Sequence, residues 1–187
     1  MMDRKTGPPG SPKTMLKQYP ELFRLISKEN GGHGSAINAG TAAAVGRYLK
    51  VIDADDWVVT ENLKELIDQL AVCRADVVLN PYHQVDMKTG EKTVWKMFLD
   101  RYEVTYTLED VVQNWKKFDR CFAFHGICYN REFYGDTAMD CRKKSSMKIM
   151  DTQRSLARMR QVFIRSICIY TNIWSETRNR AYRSQTD

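Results

Sequence analysis

The side chains best placed to do chemistry in this chain are Asp53, Asp55 and Asp56, in the run Asp53-Ala54-Asp55-Asp56-Trp57. Three carboxylates so close together repel one another unless a cation shares their charge. Hard divalent cations take carboxylate and phosphate oxygens together, so a metal carrying a diphosphate is the chemistry this spacing suits. The competing reading is a solvated acidic turn, because Asp is a common turn residue. Position separates the two. Tyr48-Leu49-Lys50-Val51-Ile52 is apolar and β-branched, reads as a buried strand, and runs straight into the carboxylates. In open α/β sheets ligands sit beyond the carboxyl ends of the strands, which favours the metal-diphosphate reading.

Such a site needs a loop to face it and a sheet to carry it. Lys28-Glu29-Asn30-Gly31-Gly32-His33-Gly34 is a suitable loop, with glycines at 31, 32 and 34 freeing the backbone. Residues 35–45 are small and Ala-rich, which predicts a helix with Ser35 as N-cap and Gly46 closing it. Ahead of the loop, a helix over 15–19 stopped by Pro20 and a strand over 22–26 are expected. Thr60 is placed to cap a second helix, with Leu63, Leu66, Ile67 and Leu70 at helical spacing. Residues 76–80, 92–99 and 121–129 read as strands and 108–115 as a helix. Strands alternating with helices predict an α/β fold, a mostly parallel sheet flanked by helices.

The chain has 187 residues, enough for one domain with a real core, and its 43% hydrophobic and 11% aromatic content is that of a globular protein. No apolar run approaches the roughly 20 residues of a membrane helix, and the first residues hold no apolar leader core. The expected location is the cytoplasm, with the inner face of a membrane as a variant. Cys73, Cys121, Cys128, Cys141 and Cys168 form no CxxC pair, which argues for buried reduced thiols and against a zinc site.

The net charge of +6 is unevenly distributed. Residues 1–140 hold 18 Lys+Arg against 20 Asp+Glu, and residues 141–187 hold 11 against 3. A basic tail of this kind suggests contact with nucleic acid or an anionic membrane. Single-strand platforms interleave aromatic and basic side chains. Phe163, Tyr170, Trp174 and Tyr182 do not follow that pattern, so no nucleic-acid partner is expected.

The segment from Lys28 to Gly40, followed by Gly46 to Trp57, resembles family 2 glycosyltransferases: an Asn-x-Gly loop, a small-residue helix bearing Asn, then a strand ending in Asp-x-Asp-Asp. The resemblance weakens but continues through 76–80 and 122–134. It implies a partial GT-A fold, a Rossmann-like nucleotide-sugar-binding sheet, over residues 19–138, with 1–18 an irregular remnant and 139–187 a basic tail. It further implies transfer of a sugar from a nucleotide-diphosphate donor to a glycan or other acceptor hydroxyl, by inversion. Asp53 and Asp55 match the pair that holds Mg²⁺ or Mn²⁺ against the diphosphate. Asn30, Gly31, Asn38 and Asp56 match positions near the nucleotide-sugar. Each also has a plain structural reading: Gly31 and Gly34 as turn formers, Asn38 as a tie between helix and loop, Asp56 as a cap for the following turn. His33 reads as a phosphate contact or a solvated loop residue, Trp57 as a sugar-stacking or a packing residue, and His125 as a core or rim residue.

Two parts of the family pattern are missing. The strands that build much of the nucleoside pocket are not found ahead of residue 22. No general base can be assigned, since only Asp151, Glu176 and Asp187 follow Asp140. A frameshift near 135–139 accounts for the second gap. In the frame that joins each codon's third base to the next codon's first two, Met139-Asp140 forces Gly and Met147-Lys148 forces Glu, and residues 139–156 can then encode a stretch similar to the family's Glu-Asp motif. The expected function is therefore that of a glycosyltransferase fragment. The alternatives are a non-catalytic module with a basic tail that binds nucleic acid or anionic membrane, and a degraded reading frame.

Overall fold

Val77-Val78-Leu79 is apolar at every position, as suits a strand covered on both faces, and it forms the middle of the main sheet. The computed structural model of the chain describes residues 12–98, 103–118, 122–136, 161–164 and 171–175. The elements run α1 (Pro12–Gln18), α2 (His33–Ala43), β1 (Tyr48–Leu49), β2 (Trp57–Val58), α3 (Thr60–Val72), β3 (Val77–Leu79), β4 (Tyr82–Asp86), β5 (Lys92–Trp95) and β6 (Val104–Thr107). They continue with α4 (Leu108–Gln113), α5 (Trp115–Phe118), a 3-10 turn (Phe124–Gly126), β7 (Ile127–Asn130), α6 (Arg131–Asp136), β8 (Gln161–Ile164) and β9 (Thr171–Ser175). One sheet has the order β1-β7-β3-β8-β6 and the other β2-β9-β4-β5.

Neighbouring side chains of a strand point to opposite faces, and the core divides accordingly. Leu49, Val77, Leu79, Ile127 and Tyr129 face Met97, Val111, Phe118, Phe122, Phe133 and Tyr134 on one side. Val78 and Cys128 face the other, where Leu66 covers them with Tyr48, Val58, Leu70 and Cys73 around it. Cys73 and Cys128 are free thiols. Trp115 stacks on Phe122, with ring centroids 5.5 Å apart. Among the described residues no helix is long and apolar enough to cross a membrane.

The α/β class stands, but the mostly parallel pairing does not. Among the described residues only β3–β8 and β4–β9 are parallel; β1–β7, β3–β7, β6–β8, β2–β9 and β4–β5 are antiparallel. The alternation of strand and helix predicted direction correctly for β1 and β3, which run the same way because each is antiparallel to β7. What it missed is the insertion of β7 between them. An antiparallel insertion brings the residues just before β7 to the carboxyl ends of β1 and β3, where the acidic run begins.

Several local expectations also shift. No strand forms at 22–26: Leu22 and Leu25 are exposed, and apolar β-formers make a strand only where a partner is in reach. The strand expected over 48–52 is limited to β1, and those expected over 92–99 and 121–129 are limited to β5 and β7. Ser35 lies inside α2 rather than capping it, because Gly32 adopts φ 83° and takes the N-cap. Ala44, not Gly46, is the C-cap. Val59, extended, precedes α3, so Thr60 is its first residue. Within 139–187, β8 and β9 pair into the sheets. The remaining residues of that segment, including the whole of the stretch 139–156 on which the frameshift reading rests, lie outside the described residues, as do residues 1–11.

The helical repeat 63, 66, 67, 70 is only half used. Leu66 is 2% exposed and Ile67 is 55% exposed, because α3 meets the sheet along a narrow line through Val78 and Cys128. Leu66→Ala is therefore expected to cost about 2–5 kcal/mol of stability through the cavity it leaves. Ile67→Ala, one residue on, should stay within about 0.5 kcal/mol. Urea unfolding of the two variants checks both figures.

Candidate functional site

The loop at 28–34 is built by its own side chains. Asn30 Oδ1 accepts the Gly32 N–H at 3.0 Å, an Asx turn that hands the chain to Gly32 in the left-handed region. From there α2 starts, and the Gly32 carbonyl accepts the N–H groups of Ser35 (3.1 Å) and Ala36 (3.3 Å). Lys28 Nζ donates to Ser35 Oγ at 2.5 Å and to the Glu29 carbonyl at 2.8 Å, stitching the loop to the helix. A Cβ on Gly31 would lie 2.6 Å from Ser35 Oγ and 3.0 Å from its Cβ, so a larger residue here would force the Ser35 side chain, held by Lys28, to move. Asn38 lies further along α2, half-buried, and its carbonyl accepts the Thr41 hydroxyl at 3.0 Å.

The acidic run is a turn. The Asp56 N–H donates to the Asp53 carbonyl at 3.0 Å, and the three carboxylates of that turn meet different surroundings. Asp53 Oδ1 is 2.8 Å from His33 Nε2 at the start of α2, which ties the glycine loop to the turn. Asp55 is exposed and has no hydrogen bond or ion pair among the described residues. Asp56 turns inward: its side chain is 3% exposed, and Oδ2 lies 3.0 Å from Nδ1 of His125, itself 15% exposed. Asp56 therefore does not cap α3; it is held from below.

His125 sits in the 3-10 turn that leads into β7. Its carbonyl accepts Lys50 Nζ at 2.7 Å, and its ring centroid is 5.9 Å from that of Tyr82. Burial pushes the Lys50 ammonium below the usual lysine value, with Cys128 and Asp56 acting the other way. Next to it, the Gly126 carbonyl accepts the Asn80 N–H at 2.7 Å and Asn80 Nδ2 at 3.1 Å. Asn80 is fully buried, and its Oδ1 has no partner among the described residues.

The structure thus brings Asp53, Asp55 and Asp56 into one turn and reaches it from the Asn30–Gly31 loop through His33. Trp57, the first residue of β2, is exposed beside the turn. The pairings of His33 with Asp53 and of His125 with Asp56 were not read from the sequence. The one available signal was the third aspartate, since an ion of the magnesium type needs only one or two protein carboxylates. Asp151, Glu176 and Asp187, the acidic residues considered for a base, lie outside the described residues.

Among the described residues no three His, Cys, Asp or Glu side chains cluster as a closed metal cage. Asp55, exposed, and Asp53, partly exposed and with one oxygen on His33, instead offer hard oxygen ligands. That donor set suits Mg²⁺ or Mn²⁺ sharing its shell with water and phosphate, and does not suit a structural zinc.

Residues 7–134 match the profile of the family described as Glycosyl transferase family 2. The glycosyltransferase GlyG of Streptococcus pneumoniae is 35% identical over 68 residues, 36% of this chain and 23% of that protein. Chondroitin synthase of Pasteurella multocida is 26% identical over 182 residues, 78% of this chain and 18% of that protein. The crystal structure of S. aureus TarS 1-349 in complex with UDP-GlcNAc has a TM-score of 0.60 at 16% identity, with 86% of this chain and 45% of that chain covered, a likeness of fold. The chain spans less than a quarter of the length of these two curated relatives and less than half of that crystallised chain.

The contact between Gly31 and Ser35 gives a direct test of the loop. Gly31→Ala should destabilise by about 1–3 kcal/mol, as overpacked sites do. Ser35→Ala removes the atom that is struck, so the double variant should lose less than the sum of the single ones. A thermal or urea double-mutant cycle reads the coupling, and simple additivity would remove the close-approach explanation.

Proposed function

The chain belongs to glycosyl transferase family 2, and on that premise we propose that its acidic turn is the diphosphate clamp for a nucleotide-sugar donor. The observation that carries this reading is the way the turn at the end of the β1 segment divides its carboxylates. Asp55 is exposed, Asp53 is partly exposed with one oxygen on His33, and Asp56 is withdrawn. Asp53 and Asp55 would hold Mg²⁺ or Mn²⁺, which when bound supplies positive charge against the departing diphosphate. Asn30, Gly31 and Asn38 present amide and backbone groups to the nucleotide-sugar from the facing loop and helix.

The reaction we propose is an inverting transfer. The acceptor hydroxyl oxygen attacks the anomeric carbon opposite the diphosphate, and the bond from that carbon to the diphosphate oxygen breaks with its electron pair leaving on the diphosphate. A general base takes the hydroxyl proton. A uridine diphosphate sugar is the first donor to test, since UDP-GlcNAc is the ligand of the TarS structure. A glycan is the first acceptor class, since a chondroitin synthase is among the relatives.

Titration calorimetry with UDP tests the clamp. Heat of binding is expected with Mn²⁺, lost with EDTA and abolished by Asp55→Ala. Binding that is indifferent to both the chelator and the substitution would exclude the Asp53–Asp55 clamp.

A further inference from the structure

We propose that His125 is a positioning residue: its ring holds the buried Asp56 carboxylate and thereby sets the direction in which Asp53 and Asp55 face. The inference rests on the reading of the turn as a diphosphate clamp and extends it to a residue 69 positions further along the chain.

Burial and connectivity carry the inference. A carboxylate as enclosed as Asp56 is costly without a partner. Among the described residues, His125 Nδ1, 3.0 Å from Oδ2, is its hydrogen-bond partner, while the buried Lys50 ammonium acts on its charge without a hydrogen bond to it. With the carboxylate as acceptor, the ring nitrogen donates. The position of that nitrogen therefore dictates where the Asp56 side chain can lie. Asp56 is in turn fastened to Asp53 through the N–H to carbonyl bond across the turn, so a shift at one end of the turn is felt at the other.

His125 is itself held in place. Its carbonyl is bonded by Lys50, three residues before Asp53 and just after β1. The adjoining Gly126 carbonyl takes two bonds from Asn80. The segment leading into the acidic turn and the far end of that turn are thus both referenced to one 3-10 turn. Simple space-filling against Tyr82 would require no polar atom on the Asp56 side of the ring.

Two substitutions separate positioning from packing. Asparagine places its amide nitrogen near the place of Nδ1, and glutamine places it near that of Nε2. His125→Asn is expected to keep Mn²⁺ affinity close to wild type in the presence of UDP, read by the electron paramagnetic resonance of free Mn²⁺. His125→Gln is expected to lose about 10-fold or more, the usual effect of losing the residue that orients a metal ligand. Equal dissociation constants for the two variants would overturn the inference, since loss of packing alone weakens both alike. If His125→Gln does not fold, Asp56→Ala cuts the same bond from the other side: weakened Mn²⁺ binding supports positioning, and wild-type affinity overturns it. Absence of Mn²⁺ binding by the wild-type protein sinks the clamp and this inference together. Wild-type binding that Asp55→Ala abolishes but both His125 variants preserve sinks this inference alone.

Discussion

Carboxylates at positions 53, 55 and 56 cannot all point into the same patch of solvent without mutual repulsion, and how the chain separates them decides how the site is built. Asp53 is drawn towards the start of α2 by His33, Asp56 is drawn under the turn by His125, and Asp55 is left outside. Each outcome removes one charge from the neighbourhood of the others. The cost falls mainly on Asp56, because an uncompensated buried carboxylate is destabilising by about 3–5 kcal/mol when its partner is removed.

The position of His125 follows from sheet topology. Had β7 run parallel to β1 and β3, the residues before it would lie at the opposite edge of the sheet, far from the acidic turn. Because it runs antiparallel between them, its leading turn reaches the edge at which β1 and β3 end. The same geometry brings the Gly126 carbonyl to Asn80 and the His125 carbonyl to Lys50. Groups held this way are in place before a ligand arrives, which is the condition that the proposed stabilisation of a departing diphosphate would need.

The facing loop meets a different requirement. It passes close to the first turn of α2, and a glycine at 31 leaves the Ser35 hydroxyl where it is, whereas a Cβ there would displace it. Gly32 supplies the left-handed conformation with which the helix begins. Asn30 is spent at least in part on its own backbone, accepting the Gly32 N–H. Its place beside the proposed donor site is therefore set by loop construction as well as by any contact with a ligand.

Much of this was legible in the residues themselves. The short strand ahead of the acidic run, the glycine loop, the helix bearing Asn38, the helix beginning at Thr60 and the strand over 77–79 are all governed by local preferences: β-branched runs, glycine freedom and apolar spacing. The family could be recognised because its motif is contiguous. Local sequence did not reveal that Leu25 would find no strand partner, that Ile67 would miss the sheet, or that β7 would enter antiparallel. Those outcomes depend on which elements meet. Above all, Asp53-Ala54-Asp55-Asp56 announced a cluster of charge, but three adjacent aspartates are chemically the same. What distinguishes them is burial and the nearest partner, and both come from residues 20 and 69 positions away. Only the folded chain assigns one aspartate to His33, one to His125 and one to solvent.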